Sequence, residues 1–530
     1  MASTFKEACR AILEKAAAGE IADARDLASA KIWACREFGL SKPPRNSDIL
    51  AAASEKSKAV ELLRLKPVRS ISGVSVITVM PKPYPCPKKE PCIYCPGGPS
   101  YNTPQSYTGR EPAAARALQH NYDPYGQVKS RIEQLRAIGH DVDKVELIIF
   151  GGTLTAYPRN YLEWFVTQCL NTMSGANVGT LKEAQQVAET APIRVSDIAL
   201  ETRPDYCKEE HVDFMLELGA TRVELGVQTI YDDIYQLVER GHSVDDVVEA
   251  TRIARDAGFA LTYHAMPNLF GSNYERDLNA FKMFFEDERF KPDALKIYPT
   301  LVMEGTKLHE LWLRGKYKPY PFEKVVNLIA EVKKMVPKWV RIQRIQRDIP
   351  SNLIVDGVKR GDLRNLVQEK LRGQGAHCRC IRCREVGHVE YKVGLRPRTD
   401  DIELVVEKYP ASEGEEIFLS YEDKKCDILV GLLRLRCPSE KAHRPEVRET
   451  SAMLVRELHV YGPLVPVYAK PKDEWQHKGY GAALLREAEK IAMERYDAKK
   501  IAVLAGIGTR EYYLKQGYAK DGPYVSKRLI

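Results

Sequence analysis

Between about residues 71 and 350, short apolar runs alternate with longer amphipathic ones, and nothing else in the chain restricts its fold so strongly. The apolar runs lie at 74–80, 145–150, 197–201, 222–227, 261–265 and 294–298. Their length and β-branched content predict strands. The gaps between them hold crossover helices, for example at 125–138 and 244–257. Parallel neighbours can be joined only by such long crossovers, so the repeat predicts a parallel sheet flanked by helices. Periodicity leaves barrel and open sheet both allowed. In either case ligands gather at the carboxyl ends of the strands. Polar residues collect there: Gly151-Gly152-Thr153, Glu201-Thr202-Arg203-Pro204, Gln228, His264 with Met266-Pro267, and Lys296 with Tyr298. A glycine pair after an apolar strand lets the backbone approach a ligand closely.

The first strand runs into Pro85-Cys86-Pro87-Lys88-Lys89-Glu90-Pro91-Cys92-Ile93-Tyr94-Cys95. Three thiolates so close together, rather than four, can hold a cubane 4Fe-4S cluster and leave one iron without a protein ligand. At that open iron a small-molecule cofactor can chelate and be reductively cleaved. A zinc site short of its fourth ligand is the competing reading. A second group, Cys378, Cys380 and Cys383, fits structural zinc better. Its fourth ligand must come from elsewhere, and His377, His388, Cys426 and Cys437 are the candidates. Cys437 is preferred, because from the following domain it would staple the two together. Six of the twelve cysteines fall in these two groups and the rest are scattered. That is metal-site usage in a reducing compartment rather than a disulfide framework.

At 530 residues the chain has length for several domains. Apolar content of 44% and charged content of 29% are those of a soluble protein, without a run of about 18 apolar residues to span a membrane. The first residues lack an apolar signal core, so a cytoplasmic location is expected. A net charge of +8 permits an acidic polymer partner without demanding one. Residues 1–70 read as a small basic helical unit. Ser3 or Thr4 would cap a first helix with Phe5, Ala8, Cys9, Ile12 and Leu13 on its apolar face. Leu27, Ile32 and Trp33 mark a second helix, and a third runs from the Asn46-Ser47-Asp48 cap toward Leu62 and Leu63. Arg45, Lys56, Lys58, Arg64, Lys66 and Arg69 flank it as a phosphate-binding face or, from charge alone, a solvated one. The expected order is the helical unit at 1–70, the strand–helix repeat at 71–375, a zinc-binding linker at 376–395 and a last domain at 396–530.

That last domain reads as β-rich and then α/β. Strands at 402–406, 428–434 and 457–460 precede Gln476-x-x-Gly479-x-Gly481, which opens an amphipathic helix running to about residue 495. Backbone N–H groups at such a helix start, together with its dipole, favour a pyrophosphate. The spacing is that of coenzyme A binding in N-acetyltransferases. A further strand at 500–504 and a helix at 509–518 follow in the order of that fold. Tyr512 and Tyr513 point in different directions on that helix, so at least one should face the cofactor cleft.

Taken together, these segments resemble one family over nearly the whole chain, the catalytic subunit of Elongator in its stand-alone archaeal-type form. The resemblance rests on Cys92-Ile-Tyr-Cys95-Pro-Gly-Gly-Pro, Thr103-Pro-Gln-Ser-Tyr-Thr-Gly, Asp143-Lys-Val-Glu, Gly151-Gly-Thr, Glu201-Thr-Arg-Pro-Asp-Tyr, Gly226-Val-Gln and Gln346-Arg-Asp-Ile-Pro. In the last domain it rests on Arg456-Glu-Leu-His-Val-Tyr-Gly and Gly508-Thr-Arg-Glu-Tyr-Tyr. It implies a partial parallel (βα) barrel of radical S-adenosylmethionine (radical SAM) type, followed by a GNAT acetyltransferase α/β domain. It also implies formation of 5-carboxymethyluridine at the wobble position of tRNA, from acetyl-CoA, by a 5′-deoxyadenosyl radical. Cys86, Cys92 and Cys95 would hold the cluster, and Glu201, Arg203 and Gln228 would contact S-adenosylmethionine. Acetyl-CoA contacts carry over onto Lys144, Glu457, Leu458, His459, Val460, Gln476, Gly479, Tyr480, Gly481, Ala482, Tyr512 and Tyr513. Catalytic roles are implied for Tyr513, Lys144, Glu201 and Arg203. The implied partners are the tRNA anticodon loop and an electron donor; homodimerisation is left open. The alternative is a protein lysine N-acetyltransferase with a structural iron–sulfur domain.

Overall fold

The computed structural model describes residues 2–53, 63–64, 68, 70–463, 475–476 and 478–529. Its first sheet is built from β1 (Ser75–Val79), β2 (Lys144–Ile149), β3 (Arg194–Thr202), β4 (Arg222–Gln228), β5 (Ala260–Ala265) and β6 (Ala294–Ile297), the six strands expected from the apolar runs. Two short strands, β7 (Val302–Met303) and β9 (Ile354–Asp356), form a separate antiparallel ribbon. Between them in the chain, β8 (Arg341–Arg344) joins the main sheet beside β6. The order is β1-β2-β3-β4-β5-β6-β8, with every pairing parallel. Among the described residues β1 and β8 each have one neighbour, so the sheet is a partial barrel. β8 escapes a sequence reading because Arg341-Ile342-Gln343-Arg344 carries a single apolar residue.

Caps explain where the flanking helices begin. Asp123 accepts from the Gly126 N–H at 2.7 Å ahead of helix Pro124–Ala137. Ser243 and Asp246 form a reciprocal capping box on helix Val244–Asp256. The outer face of the sheet packs on these helices: Val145, Leu147, Ile149, Leu200 and Leu225 lie in one core with Leu162, Phe165 and Ile253. The inner face is different. Along β2, Lys144, Glu146 and Ile148 are half-buried while their neighbours are fully buried. On that face Arg222 pairs with Glu146 and, at 2.9 Å, with Asp197. Deeper in, Glu224 meets Lys296 and His264. A (βα) barrel interior is ordinarily filled with branched apolar side chains, so this polar lining marks a working surface.

The second sheet comprises β10 (Ile402–Ala411), β11 (Gly414–Asp423), β12 (Ile428–Cys437), β13 (Ala452–Val460), β14 (Lys500–Val503), β15 (Ala519–Asp521) and β16 (Tyr524–Arg528). It runs β10-β11-β12-β13-β14-β16-β15 and is antiparallel except where β13 meets β14. That parallel pairing covers only Ala452 to Val455, so Glu457–Val460 continue past the end of β14 and are half-buried. Helix Tyr480–Tyr496 lies on this sheet through Leu484, Leu485, Ala488 and Ile491.

The front of the chain forms helices Ala2–Ala17, Ala24–Glu37 and Asn46–Ala52 with a small core of their own. The first helix begins at Ala2, so Ser3 and Thr4 fall within its bounds rather than ahead of it. Asp23 caps the second, which buries Leu27 and leaves Ile32 exposed. Lys56, Lys58, Leu62, Lys66 and Arg69 lie outside the described residues. Arg64 ties this unit to the barrel through the Gly139 carbonyl at 2.9 Å.

Buried ion pairs join the two sheets. Arg456 grips Asp293 with two hydrogen bonds of 2.8 Å and reaches Glu416 at 2.6 Å. Arg436 pairs with Asp256 at 2.6 Å and with Glu416 at 3.1 Å. Asp256 and Asp293 belong to the barrel; the other three belong to the second sheet. No helix among the described residues is long and apolar enough to cross a membrane.

Candidate functional site

The cysteine loop closes over the carboxyl ends of the barrel strands. Cys92 is buried, and its sulfur lies 3.4 Å from the Lys88 ammonium and 3.6 Å from an Arg240 guanidinium nitrogen. Burial would push the Cys92 thiol up, but the neighbouring Arg240 and Lys88 charges outweigh it and bring it below the usual thiol range. Cys95 receives Gln105 Nε2 at 3.2 Å and faces Ser106 Oγ at 3.4 Å. Burial and the nearby Cys92 push its thiol up.

The two cysteine groups differ in spread. Cys378, Cys380 and Cys383 place all three sulfurs within 4.8 Å of one another, and among the described residues they are the one group that does so. Such closeness suits a single tetrahedral ion with one position left over. Thiolates of a cubane cluster sit on separate irons and need not stand so close; Cys86, Cys92 and Cys95 do not form so tight a group. Two buried polar atoms beside the latter, Arg240 Nε and Gln228 Oε1, have no hydrogen-bond partner. Buried atoms of that kind need an explanation, and an absent ligand supplies one. Gln228 also holds a φ of 73°, a left-handed backbone that a glutamine adopts only where its surroundings impose it. The residues present therefore fit a cluster with a small-molecule ligand beside it.

Glu201 is pinned next to this loop. One carboxylate oxygen accepts from Tyr107 at 3.0 Å and from the backbone N–H groups of Gly151 and Gly152 at 3.3 and 3.2 Å. The other lies 3.6 Å from His264 Nδ1, and His264 Nε2 sits 2.9 Å from Glu224. Burial would raise the Glu224 carboxyl, yet Lys296 and His264 hold it well below the usual carboxylate range. Arg203 is a brace: it clasps Asp205 at 2.9 and 2.7 Å and donates at 2.8 Å to the carbonyl of Arg240. Tyr107, Glu224 and Arg240 had escaped the sequence reading. A glutamate inside the otherwise apolar run of β4 was the available signal for Glu224; the other two gain their neighbours only through folding.

A second constellation forms where the sheets meet. Lys144, at the start of β2, donates to Gln476 Oε1 at 3.1 Å, and Gln476 Nε2 donates to the Val460 carbonyl at 3.1 Å. Burial brings the Lys144 ammonium down to about 8. His459 bonds the Ser72 carbonyl at 2.8 Å, and Glu457 is held by Arg434 at 2.7 Å. Leu458 and Val460, half-buried like them, alternate to the opposite face of the strand, where Leu458 packs against the core of the second sheet. Gly479 enters helix Tyr480–Tyr496 with a φ of 91°, and Gly481 and Ala482 follow half-buried in its first turn. A side chain at Gly481 would meet the Tyr512 hydroxyl at 3.1 Å. Tyr513, by contrast, is buried in the apolar core against Tyr518. Of the two tyrosines, Tyr512 faces the glycine-rich helix start.

The preferred fourth partner of the second cysteine group is overturned. Leu429, near the start of β12, bridges to Glu385, two residues beyond Cys383. Cys437 ends the same strand, about 27 Å further along at roughly 3.4 Å per residue. His388 is engaged by Glu385 at 2.9 Å, and no other histidine, cysteine or carboxylate among the described residues joins the triad. Lys333 at 3.6 Å and Gln368 at 3.2 Å face the Cys383 sulfur instead. The linker staples the domains by ion pairs: Glu385 takes Arg341 at 2.5 Å, and Arg384 pairs with Glu422.

A parallel half-barrel with a three-cysteine loop at its strand ends defines the class. Residues 84–283 match the family model of the Radical SAM superfamily, and residues 292–373 that of the Radical_SAM C-terminal domain. Residues 5–71 match the ELP3 N-terminal domain. The chain is 52% identical to the tRNA uridine(34) acetyltransferase of Methanocaldococcus jannaschii, over 92% of this chain and 90% of that protein. It is 47% identical to Elongator complex protein 3 of Schizosaccharomyces pombe, over 95% and 94%. Among solved structures it is similar to the archaeal Methanocaldococcus infernus Elp3 with an N-terminal deletion (1-46), with a TM-score of 0.77, 47% identity and coverage of 87% of this chain and 100% of that one. The chain belongs to the Elongator complex protein 3 family.

Proposed function

We propose that this protein modifies the wobble uridine of tRNA, making 5-carboxymethyluridine from acetyl-CoA with S-adenosylmethionine as radical source. One observation carries the reading. A cysteine loop fitted to a cluster lies at one end of the half-barrel, and a coenzyme A-type helix start meets its other end through the Lys144–Gln476 hydrogen bond. The relatives named as tRNA uridine(34) acetyltransferase and Elongator complex protein 3 support it.

In this reading Cys86, Cys92 and Cys95 hold the 4Fe-4S cluster, and Glu201 and Gln228 contact S-adenosylmethionine while Arg203 braces the loop between them. When bound, the two groups would supply a 5′-deoxyadenosyl radical able to take hydrogen from the acetyl methyl. Joining that carbon to C5 of uridine also releases the C5 hydrogen as a proton together with one electron, which the cluster left oxidised by S-adenosylmethionine cleavage would accept. Water then cleaves the thioester to free coenzyme A. Lys144 and the N–H groups at Gly479–Ala482 bind the coenzyme A phosphates. Glu457–Val460 form the wall beside the pantetheine arm, and Tyr512 closes the helix start. Between the two ends runs β2, whose five steps from Lys144 to Ile149 cover about 17 Å at roughly 3.3 Å each, the stretch that the acetyl-bearing arm would have to reach along. The barrel orients the partners and keeps water from the reactive carbon. The anticodon loop presents an unstacked uridine to the open edge, with Arg45 and Arg64 among the cations available to its phosphates. Zinc at Cys378, Cys380 and Cys383 would act structurally, near the domain junction.

The test is anaerobic. Reconstituted protein, reductant, S-adenosylmethionine, labelled acetyl-CoA and unmodified tRNA should yield labelled carboxymethyluridine. Cys92→Ala should lose the product and the cluster chromophore while still binding acetyl-CoA. Label on protein lysines with uridine untouched would favour the lysine acetyltransferase.

A further inference from the structure

Arg240 and Lys88 converge on one sulfur, and two glycines make room for them. A Cβ on Gly226 would lie 2.6 Å from Arg240 Nη2, and one on Gly241 would lie 3.0 Å from the Lys88 side chain. Arg240 is buried, donates through Nη2 to the Gly226 carbonyl, and has its own carbonyl held by Arg203. Lys88 is half-buried and donates to the Glu239 carbonyl. The nearby acids are engaged elsewhere: Asp205 with Arg203, Glu239 with Lys307. Among the described residues no carboxylate pairs with Arg240 or Lys88. Two uncompensated cations therefore stand within 3.6 Å of the Cys92 sulfur, in a pocket shaped to hold them. A cluster ligated by thiolates is anionic, and reduction adds one more negative charge. Charge and hydrogen bonds at the ligating sulfurs are established levers on cluster potential.

We propose that Arg240 and Lys88 are positioning residues that raise the reduction potential of the cluster through Cys92, resting on the reading that Cys86, Cys92 and Cys95 hold it. Arg240, being buried, carries most of the effect. Lys88 also borders an open groove of about 800 Å³, together with His242, Ser243 and Lys307, so solvent ions screen its share. The glycine at position 226 and the brace by Arg203 exist, on this account, to keep the guanidinium at the sulfur.

The experiment is a redox titration of the anaerobically reconstituted full-length protein, followed by the EPR signal of the reduced cluster, with dithionite supplying the single electron. Arg240→Gln should lower the reduced-to-oxidised ratio at a fixed potential at least tenfold, which is 59 mV for a one-electron couple. Arg240→Lys, keeping the charge, should stay near the parent. Lys88→Gln should shift the potential the same way but less, and the shift should vanish in about 1 M salt, where the screening length is about 3 Å. An unchanged midpoint in Arg240→Gln with a full cluster overturns the proposal. Should that variant fail to take up the cluster, an unchanged midpoint in Lys88→Gln at low salt overturns it instead. Parent protein that assembles no cluster would refute the cluster reading itself, a different and separable result.

Discussion

Lys144 concentrates the chemistry of the domain junction in a single side chain. Its ammonium sits below bulk lysine because burial penalises the charged form, only partly offset by Asp143. The folded protein thus holds that proton less tightly than the unfolded chain, so the fold gains stability as pH rises from about 8 toward 10.5. Binding runs the other way, since only the ammonium grips a phosphate. Coenzyme A affinity should therefore weaken as pH passes about 8. Lys144→Met should cost about 1.5–3 kcal/mol of that binding, roughly tenfold to a hundredfold, and flatten its pH profile. Calorimetric titrations at pH 7 and pH 9 check both; a variant that binds as tightly as the parent would remove Lys144 from the site. Residues of this kind were only partly legible in the sequence. Lys144 taken alone reads as a surface lysine at a strand start, and the motif match singled it out. Arg240 was missed because its partner, Cys92, lies 148 positions away. Tyr512 and Tyr513 could not be told apart until the helix Arg510–Leu514 was oriented.

Elements were most legible where their burial is simple. Six barrel strands are buried on one or both faces and stand out as apolar runs. β11 was not read because its buried positions include Glu416, Glu422 and Asp423, charges neutralised only in the fold by partners such as Arg436 and Arg384. The turn Ile507–Thr509 shows how closely the second sheet docks on the first. A Cβ on Gly506 would fall 2.0 Å from the Ser196 carbonyl, and one on Gly508 would fall 2.6 Å from the Val195 N–H. Both contacts are to backbone at the start of β3, which cannot step aside. Gly506→Ala should thus cost about 1–3 kcal/mol and lower the melting temperature by a few degrees. Differential scanning calorimetry decides it, and an unaltered transition would mean that the turn is not pressed against β3.

The molecule as a whole is held by charges that no local pattern announces. Arg456, Asp293, Glu416, Arg436 and Asp256 are nearly inaccessible to water and tie the barrel to the second sheet. Such a network contributes little net stability compared with apolar packing, but losing one member strands the rest. Arg456→Ala should destabilise the protein by about 3–5 kcal/mol, because Asp293 and Glu416 would keep their charges without a partner. Urea unfolding followed by fluorescence measures this, and a loss below about 1 kcal/mol would show the network to be solvated. Rigid docking matters to the proposed chemistry, which needs the coenzyme A end and the cluster end held at a constant separation. The most direct test of that chemistry follows a deuterium atom. With acetyl-CoA deuterated in its methyl group, unmodified tRNA, S-adenosylmethionine and reductant under anaerobic conditions, mass spectrometry should find deuterium in the released 5′-deoxyadenosine and carboxymethyluridine in the tRNA. Released 5′-deoxyadenosine free of deuterium, alongside that same product, would contradict hydrogen abstraction from the acetyl methyl.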